Sequence, residues 1–464
     1  MAESEASRDP TYDVAVIGAG VVGCAIARAL SRHRLRVALV EAGNDVGTGI
    51  SKANSAILHT GFDARPGTLE ARLVSRGHRL LTEYAASAGI PMHRVGATLV
   101  AWPSDDGDAL ERISSRAVEN GYHAAERLTA DQVYRREPHL APGAVGGLAI
   151  PDESIICPFT TPLAFATEAV ANGTTLMLDS PVETARRVDR RWELILGGTR
   201  ISTAWVINAA GLHGDSVAGL FGASSPEIRP RRGQFVVFDK TAGGLVSSIV
   251  LGVPSPRSKG VLLAPTVFGN LLLGPTSEDV DAKDATETTE DGIAHLLEKG
   301  TALLPGLADT EVTSTYAGLR AVPSTDAYHI EVDAGSGYGC ATGIRSTGLS
   351  ASMAIAEYLL DQLSDAGLAL ETKAGTVPSI ISSAADSADG DAGRVVCFCE
   401  LTTMAELEKA AVSPIPPRTV DGVWRRTRAT GGRCQGFYCR AQVVDWLAAK
   451  TGRTAADLLE VGQA

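Results

Sequence analysis

Four cysteines near the C-terminal end, Cys397, Cys399, Cys434 and Cys439, are the residues best placed by type and spacing to do chemistry. They form a C-x-C pair and a C-x₄-C pair on either side of a helical stretch, Met404–Ala411. Four thiolates can ligate a [2Fe–2S] cluster, two per iron. Zinc sites more often show C-x₂-C pairs, so the cluster is the leading expectation, with zinc, a disulfide or an inert set as alternatives. Cys24, Cys157 and Cys340 are scattered in apolar surroundings and read as buried thiols. Arg425, Arg426, Arg428, Arg433 and Arg440 crowd the second pair. They read equally well as a solvated basic face or as cations that raise the potential of an anionic cluster and receive an acidic partner.

A second constellation opens the chain. Gly18-Ala19-Gly20-Val21-Val22-Gly23 is a G-x-G-x-x-G run between a strand at Tyr12–Ile17 and a helix at Val21–Arg32. The first glycine makes the tight turn, the second admits a pyrophosphate to the backbone, and the third lets helix and strand pack closely. Glu41 closes the next strand, Arg36–Val40, at about the 20-residue offset expected of an acid that accepts from ribose hydroxyls. Two features favour FAD over NAD. Trp205–Asn208 is a short strand running into Ala209-Ala210-Gly211, small enough for backbone to approach a large cofactor. Gly343-Ile344-Arg345-Ser346-Thr347-Gly348 leads into a helix starting near Leu349, whose N-terminus would stabilise negative charge on a reduced flavin.

The surrounding elements suggest how these pieces are held. A chain of 464 residues, 44% hydrophobic and 21% charged, is expected to fold into two or three domains. Its net charge of −12 argues against general nucleic-acid binding. The first residues lack a basic start and an apolar stretch, and the longest uncharged run, Gly260–Ser277, is broken by Pro265, Asn270 and Pro275. The expectation is a soluble cytoplasmic protein, with peripheral membrane docking through a partner left open.

The expected fold class is α/β. A Rossmann-like FAD-binding domain (12–90, 151–220 and 331–365) is interleaved with an α+β substrate domain (91–150 and 221–330). A tail (1–11) precedes them, and a Ser/Ala/Asp-rich linker (366–394) leads to a small C-terminal iron–sulfur domain (395–464).

The stretch from Asp13 to Arg72 resembles the glycine-oxidase/D-amino-acid-oxidase superfamily of flavoproteins. It is most similar there to flavin-dependent glycerol-3-phosphate and L-2-hydroxyglutarate dehydrogenases. The match is carried by Ser51–Gly61, Arg65–Leu69, Tyr316–Arg320 and Gly343–Arg345. The cysteine module, with Gly432–Gly436 as its core, resembles the bacterioferritin-associated-ferredoxin-like domain that a subgroup of these dehydrogenases carries.

The resemblance implies an FAD-dependent enzyme that oxidises the secondary alcohol of a small anionic substrate and passes electrons through the cluster to an acceptor, a partner protein or subunit among the candidates. It implies FAD contacts from Gly18, Gly20, Gly23, Glu41, Ser51, Asn54, Ser55, Val182, Ala210, Gly211, Gly343, Thr347 and Gly348. His59, after the Ser/Asn-rich loop, is the candidate base. Arg320 and Arg345 are candidate grips for a carboxylate or phosphate, with Tyr328 and His329 behind them. Where such dehydrogenases usually carry a phosphate-binding arginine, this chain has Ala53 beside Lys52, which leaves a 2-hydroxy acid or another polyol phosphate open. A redox module with a vestigial pocket is the reading from a different class.

Overall fold

The computed structural model describes residues 9–254, 260–377 and 393–460. Most of the expected linker and tail, 378–392 and 1–8, lie outside the described residues.

The chain begins with strand β1 (Thr11–Ile17), helix α1 (Val21–Ser31) and strand β2 (Val37–Val40). Both faces of β1 are buried, Val14 and Val16 in one apolar cluster and Ala15 and Ile17 in another. Continuous burial of this kind is what a parallel sheet covered on both sides demands. β1 pairs in parallel with β2 and with Thr199–Asn208, which in turn pairs in parallel with Tyr338–Thr342. The carboxyl ends of these strands therefore share one edge. On one face α1 packs against the helices Thr160–Ala171 and Gly348–Asp365, and helix α2 (Leu69–Ala88) packs against the latter.

A second sheet draws its strands from two separated stretches, 97–150 and 228–323. Its longest pairing joins Ile228–Phe238 to Val312–Pro323 in antiparallel register. The first of these strands opens on Arg229, Arg231 and Arg232, a charged stretch that looks like loop in sequence. Arg231 meets Asp279 at 2.5 Å, and the buried Arg232 meets Glu278 at 2.9 Å and Glu287 at 2.5 Å. Carboxylates distant in sequence thus make these charged positions tolerable in a strand. The uncharged run Gly260–Ser277 contains a strand pair, Leu262–Pro265 with Leu271–Gly274. Among the described residues no helix is long and apolar enough to cross a membrane.

The C-terminal module has its own core, built on Val396, Leu407, Val423, Val443 and Leu447. A short strand pair, Val395–Cys397 with Thr402–Thr403, leads into Met404–Ala411, whose Thr403 and Glu406 form a reciprocal N-terminal capping box. The module docks through Asp45, in the loop after β2. Its buried carboxylate takes Arg425 at 2.6 Å and Arg426 at 2.6 and 2.9 Å. Arg425 also donates to the Val46 carbonyl at 2.8 Å. Burial alone would raise the Asp45 pKa, but Arg426 and Arg425 outweigh it and hold the carboxyl below its usual range.

A depressed carboxylate stabilises docking fully above the ordinary Asp pKa of about 3.9, and the contribution is lost as pH falls through the lowered value. Asp45→Asn leaves two buried guanidinium groups without their carboxylate, which should cost about 3–5 kcal/mol. The expected outcome at neutral pH is faster proteolytic release of the C-terminal module in the variant, with the wild type approaching that rate only in acid. Equal protection of both proteins at neutral pH would refute this role for Asp45.

Candidate active site

The edge formed by the parallel strand ends is where ligands of open α/β sheets bind. Gly18 ends β1 with φ of +99°, and a Cβ there would lie 2.6 Å from the Ala209 carbonyl oxygen. A Cβ on Gly23 would lie 1.8 Å from the Gly18 oxygen, so this glycine is what lets α1 pack onto the turn. Gly20 differs: only the Ser51 hydroxyl, at 3.3 Å, stands near its would-be Cβ. Protein packing therefore does not require glycine at position 20, whereas close approach of a phosphate to the backbone does.

The first turn of α1 has N–H groups with no intrahelical partner. Val21 N–H donates to Ser51 Oγ at 2.9 Å. Glu41 accepts from Ala19 N–H at 2.7 Å and Gly43 N–H at 2.8 Å, which aims its carboxylate along the glycine turn. Val182 shares an apolar cluster with Ile17, Val40 and Ala210, and Gly211 takes φ of +56° just beyond that strand edge. Asn54 shapes the Ser51 loop, donating to the Ser51 carbonyl at 2.9 Å and accepting from Ala56 N–H at 2.8 Å; Ser55 follows it, half-buried.

Strand Val312–Pro323 closes over this loop. A Cβ on Gly318 would lie 1.9 Å from the Ala53 carbonyl oxygen, and Tyr316 donates its hydroxyl to the Asn54 carbonyl at 2.8 Å. Arg320 is two residues further on and so shares the face of Tyr316 and Gly318. Its Nη2 donates to the Thr276 carbonyl at 3.2 Å, and its Nη1 is buried without a hydrogen-bond partner. Among the described residues Arg320 forms no ion pair, and burial with Arg231 nearby draws its pKa down to about 10. Gly233 makes room for it, since a Cβ there would lie 2.7 Å from Nη2.

His59 follows the same loop, directly after the short strand Ile57–Leu58. Its N–H donates to Ser350 Oγ at 2.8 Å, in the first turn of Gly348–Asp365. Its Nδ1 is 3.0 Å from Oε2 of Glu153, a carboxylate with 0% side-chain exposure. Thr60 donates to the other Glu153 oxygen from its N–H at 2.7 Å and its hydroxyl at 2.9 Å. Sequence reasoning missed Glu153, although a signal was present: an acid set between the apolar runs Leu148–Ile150 and Ile155–Ile156.

Arg345 does not stand free as the expected anion grip. Its two terminal nitrogens bond Glu70 and Asp326, which raise its pKa despite burial. Thr347 donates to Glu70 at 2.8 Å and also meets the Tyr328 hydroxyl. These contacts brace the turn from Gly343, at φ +66°, into the helix beginning at Gly348. The reason is charge balance: Glu70, in the first turn of α2, faces the same turn and takes the cation. His329 lies 3.6 Å from Glu331, on the strand beyond.

In the C-terminal module the thiols of Cys399 and Cys434 interact, as do those of Cys397 and Cys439. The backbone N–H of Tyr438, ahead of those of Gly436 and Phe437, holds the Cys434 thiol below its usual range. Burial, then the neighbouring Cys397, pushes Cys439 up to about 11. Among the described residues no group of three or more His, Cys, Asp or Glu is arranged to hold a metal ion. The four thiols are a fitting donor set for iron and sulfide in kind.

Residues 13–362 match the family model described as FAD dependent oxidoreductase, so the chain belongs to that family. It is an FAD-dependent oxidoreductase of the kind that includes the glycerol 3-phosphate dehydrogenases. A glycerol 3-phosphate dehydrogenase of Caloramator mitchellensis is 37% identical, over 95% of this chain and 95% of its own. A glycerol 3-phosphate oxidase of Mycoplasma pneumoniae is 31% identical, over 74% of this chain and 92% of its own. The structure of L-alpha-glycerophosphate oxidase from Mycoplasma pneumoniae with FAD bound superposes with a TM-score of 0.74 at 28% identity, covering 80% of this chain and 98% of that one.

Gly20→Val is expected to fold yet purify without flavin, because the added side chain occupies space open on the protein side. Absorbance of the purified variant checks this, and stoichiometric FAD in it would refute the assignment of the glycine turn.

Proposed function

We propose that the protein oxidises the secondary alcohol of glycerol 3-phosphate to the ketone, with Arg320 binding the phosphate and His59 receiving the hydroxyl proton. The observation that carries the reading is the Arg320 guanidinium, with a buried nitrogen lacking a partner, on the strand that packs on the Ser51–Asn54 loop, together with a histidine that follows this loop and is backed by a buried carboxylate. The likeness to glycerol 3-phosphate dehydrogenases and oxidases supports this choice of anion over a 2-hydroxy acid.

Bound FAD would supply the hydride acceptor. Arg320 fixes the anionic end by charge-assisted hydrogen bonds in a planar fork, which orients the alcohol carbon. Glu153 accepts from Nδ1–H of His59, leaving the Nε2 lone pair to take the hydroxyl proton, and then faces the imidazolium that forms. Glu41, Ser51 and the first turn of α1 would hold the dinucleotide. The N-terminus of Gly348–Asp365, two residues before the serine that anchors His59, is suited to stabilise negative charge on the flavin edge.

Steady-state kinetics on glycerol 3-phosphate and L-2-hydroxyglutarate in parallel tests the assignment. Loss of a charged hydrogen bond is worth about 1.5–3 kcal/mol, so Arg320→Ala should lower kcat/KM by about ten- to a hundredfold. Arg320→Lys should recover part of it. Unchanged kcat/KM in Arg320→Ala would place the anion site elsewhere.

The same reading gives Cys397, Cys399, Cys434 and Cys439 to a [2Fe–2S] cluster that takes electrons onward. The match to the dehydrogenase, over 95% of the chain, leaves too few residues unmatched to omit the module, whereas the oxidase match covers 74%. Phe398, Phe437 and Tyr438, beside the cysteines, are 74–84% exposed, which suits the docking of an electron-acceptor protein.

The wild type should contain about two iron and two sulfide per chain. In Cys434→Ser, substrate should still bleach the flavin while electron delivery to the acceptor slows sharply. Rapid mixing follows the two events separately. Zinc in place of iron, or equal acceptor reduction by both proteins, would overturn the cluster's role.

A further inference from the structure

Of the five arginines around the second cysteine pair, the structure gives three different circumstances. Arg425 and Arg426 are neutralised by Asp45, and Arg433 pairs with Asp239 and Glu311. Arg440 is exposed at the start of the helix Arg440–Thr451. Arg428 is largely withdrawn from solvent, and it pairs loosely with Glu400, the residue that follows Cys399.

Arg428 occupies the C-terminal cap of Val420–Thr427 at φ of +66°, a left-handed position where glycine is the unstrained choice. Its guanidinium lies 4.0 Å over the ring of Phe268, 5.3 Å from that of Trp424 and 5.8 Å from that of Phe159. These rings come from the second sheet, the C-terminal module and the first domain, so the cation sits where all three meet. Its Nε is buried without a hydrogen bond. The nearest carboxylate oxygen, on Glu400, is 3.8 Å away, and that carboxylate is shared with Lys240 at 3.2 Å. Glu400 directly follows Cys399, and Cys397 and Cys157 are within electrostatic reach of the guanidinium. Among the described residues the carboxylate facing this largely buried cation is distant and shared, which suits a neighbour that becomes more negative.

We propose that Arg428 is the charge-compensating residue of the four-thiol site, raising its reduction potential so that it accepts electrons from the flavin side. The inference rests on the reading of the four cysteines as a [2Fe–2S] site. One electron added to that site, from reduced flavin in the enzyme or from dithionite in a titration, adds one unit of negative charge. A fixed cation in a poorly solvated position favours the reduced form. Glu400 and Lys240 are the other charges facing the same point, and they offset each other. Arg428 therefore acts through the thiols as a positioning residue, without touching substrate.

The experiment is a mediated dithionite titration of the full-length wild type, Arg428→Gln, Arg428→Lys and Phe268→Leu. It is followed by the low-temperature paramagnetic signal of the reduced cluster, with iron analysis of each sample. The expected result is that Arg428→Gln disfavours the reduced form at least tenfold, equivalent to about 59 mV for a one-electron couple. Arg428→Lys and Phe268→Leu, which keep the charge but disturb the stack, should stay within about threefold of the wild type. An unchanged midpoint in iron-replete Arg428→Gln overturns the proposal, as does an equal shift in all three variants, which would mark a docking clamp. If Arg428→Gln fails to retain iron, Glu400→Gln decides: removing that negative charge should favour reduction, and an unchanged midpoint counts against the proposal. Wild type without iron overturns the cluster reading itself, an outcome the iron analysis separates from the others.

Discussion

The close approach of Gly318 to the Ala53 carbonyl is the constraint on which the site depends. A Cβ at position 318 would come within 1.9 Å of that oxygen, so the second sheet can seat on the Ser51–Asn54 loop only through a bare backbone. Seating it there puts Tyr316 on the Asn54 carbonyl, with Arg320 on the same face of the strand. The loop itself is tied to the glycine turn by the Ser51 hydroxyl on Val21 N–H. One backbone contact thus sets the glycine turn and the strand that carries Arg320 in a common frame.

Burial of charge organises the rest, with opposite results at different places. Glu153 is wholly enclosed but satisfied by Thr60 and His59, so it orients the imidazole. Asp45 is enclosed and satisfied by two arginines, so it fastens the C-terminal module to the loop after β2. Arg345 is held by Glu70 and Asp326 and braces a helix entry. Arg320 and Arg428 are largely buried and each keeps a buried nitrogen without a hydrogen-bond partner, Arg320 with no ion pair among the described residues and Arg428 with a carboxylate 3.8 Å away.

Local chemistry made part of this legible in advance. The strand, glycine turn, helix and acid from Tyr12 to Glu41 could be read because each lies within a few residues of its neighbour in space. The interleaving of two sheets was suggested by returning strand and helix patterns. The beginning of Ile228–Phe238 was hidden, because three arginines within six residues look like loop until Asp279, Glu278 and Glu287 are seen opposite them. Glu153 stayed unnoticed because its role comes from a histidine 94 residues away.

By itself the sequence determined the FAD dependent oxidoreductase class, the small C-terminal cysteine-bearing module and the types of residue available for proton and anion binding, since these follow from motif spacing and side-chain chemistry. Only the tertiary structure decided which charges are free. Arg320 and Arg345 look equivalent as residues in matching segments, yet among the described residues one ends with no ion pair and the other between two carboxylates. The five arginines near the cysteines likewise separate into docking, surface and buried roles according to which acids lie near. Ion pairing joins residues hundreds of positions apart, Asp45 with Arg425 among them, and no local pattern records such a pairing.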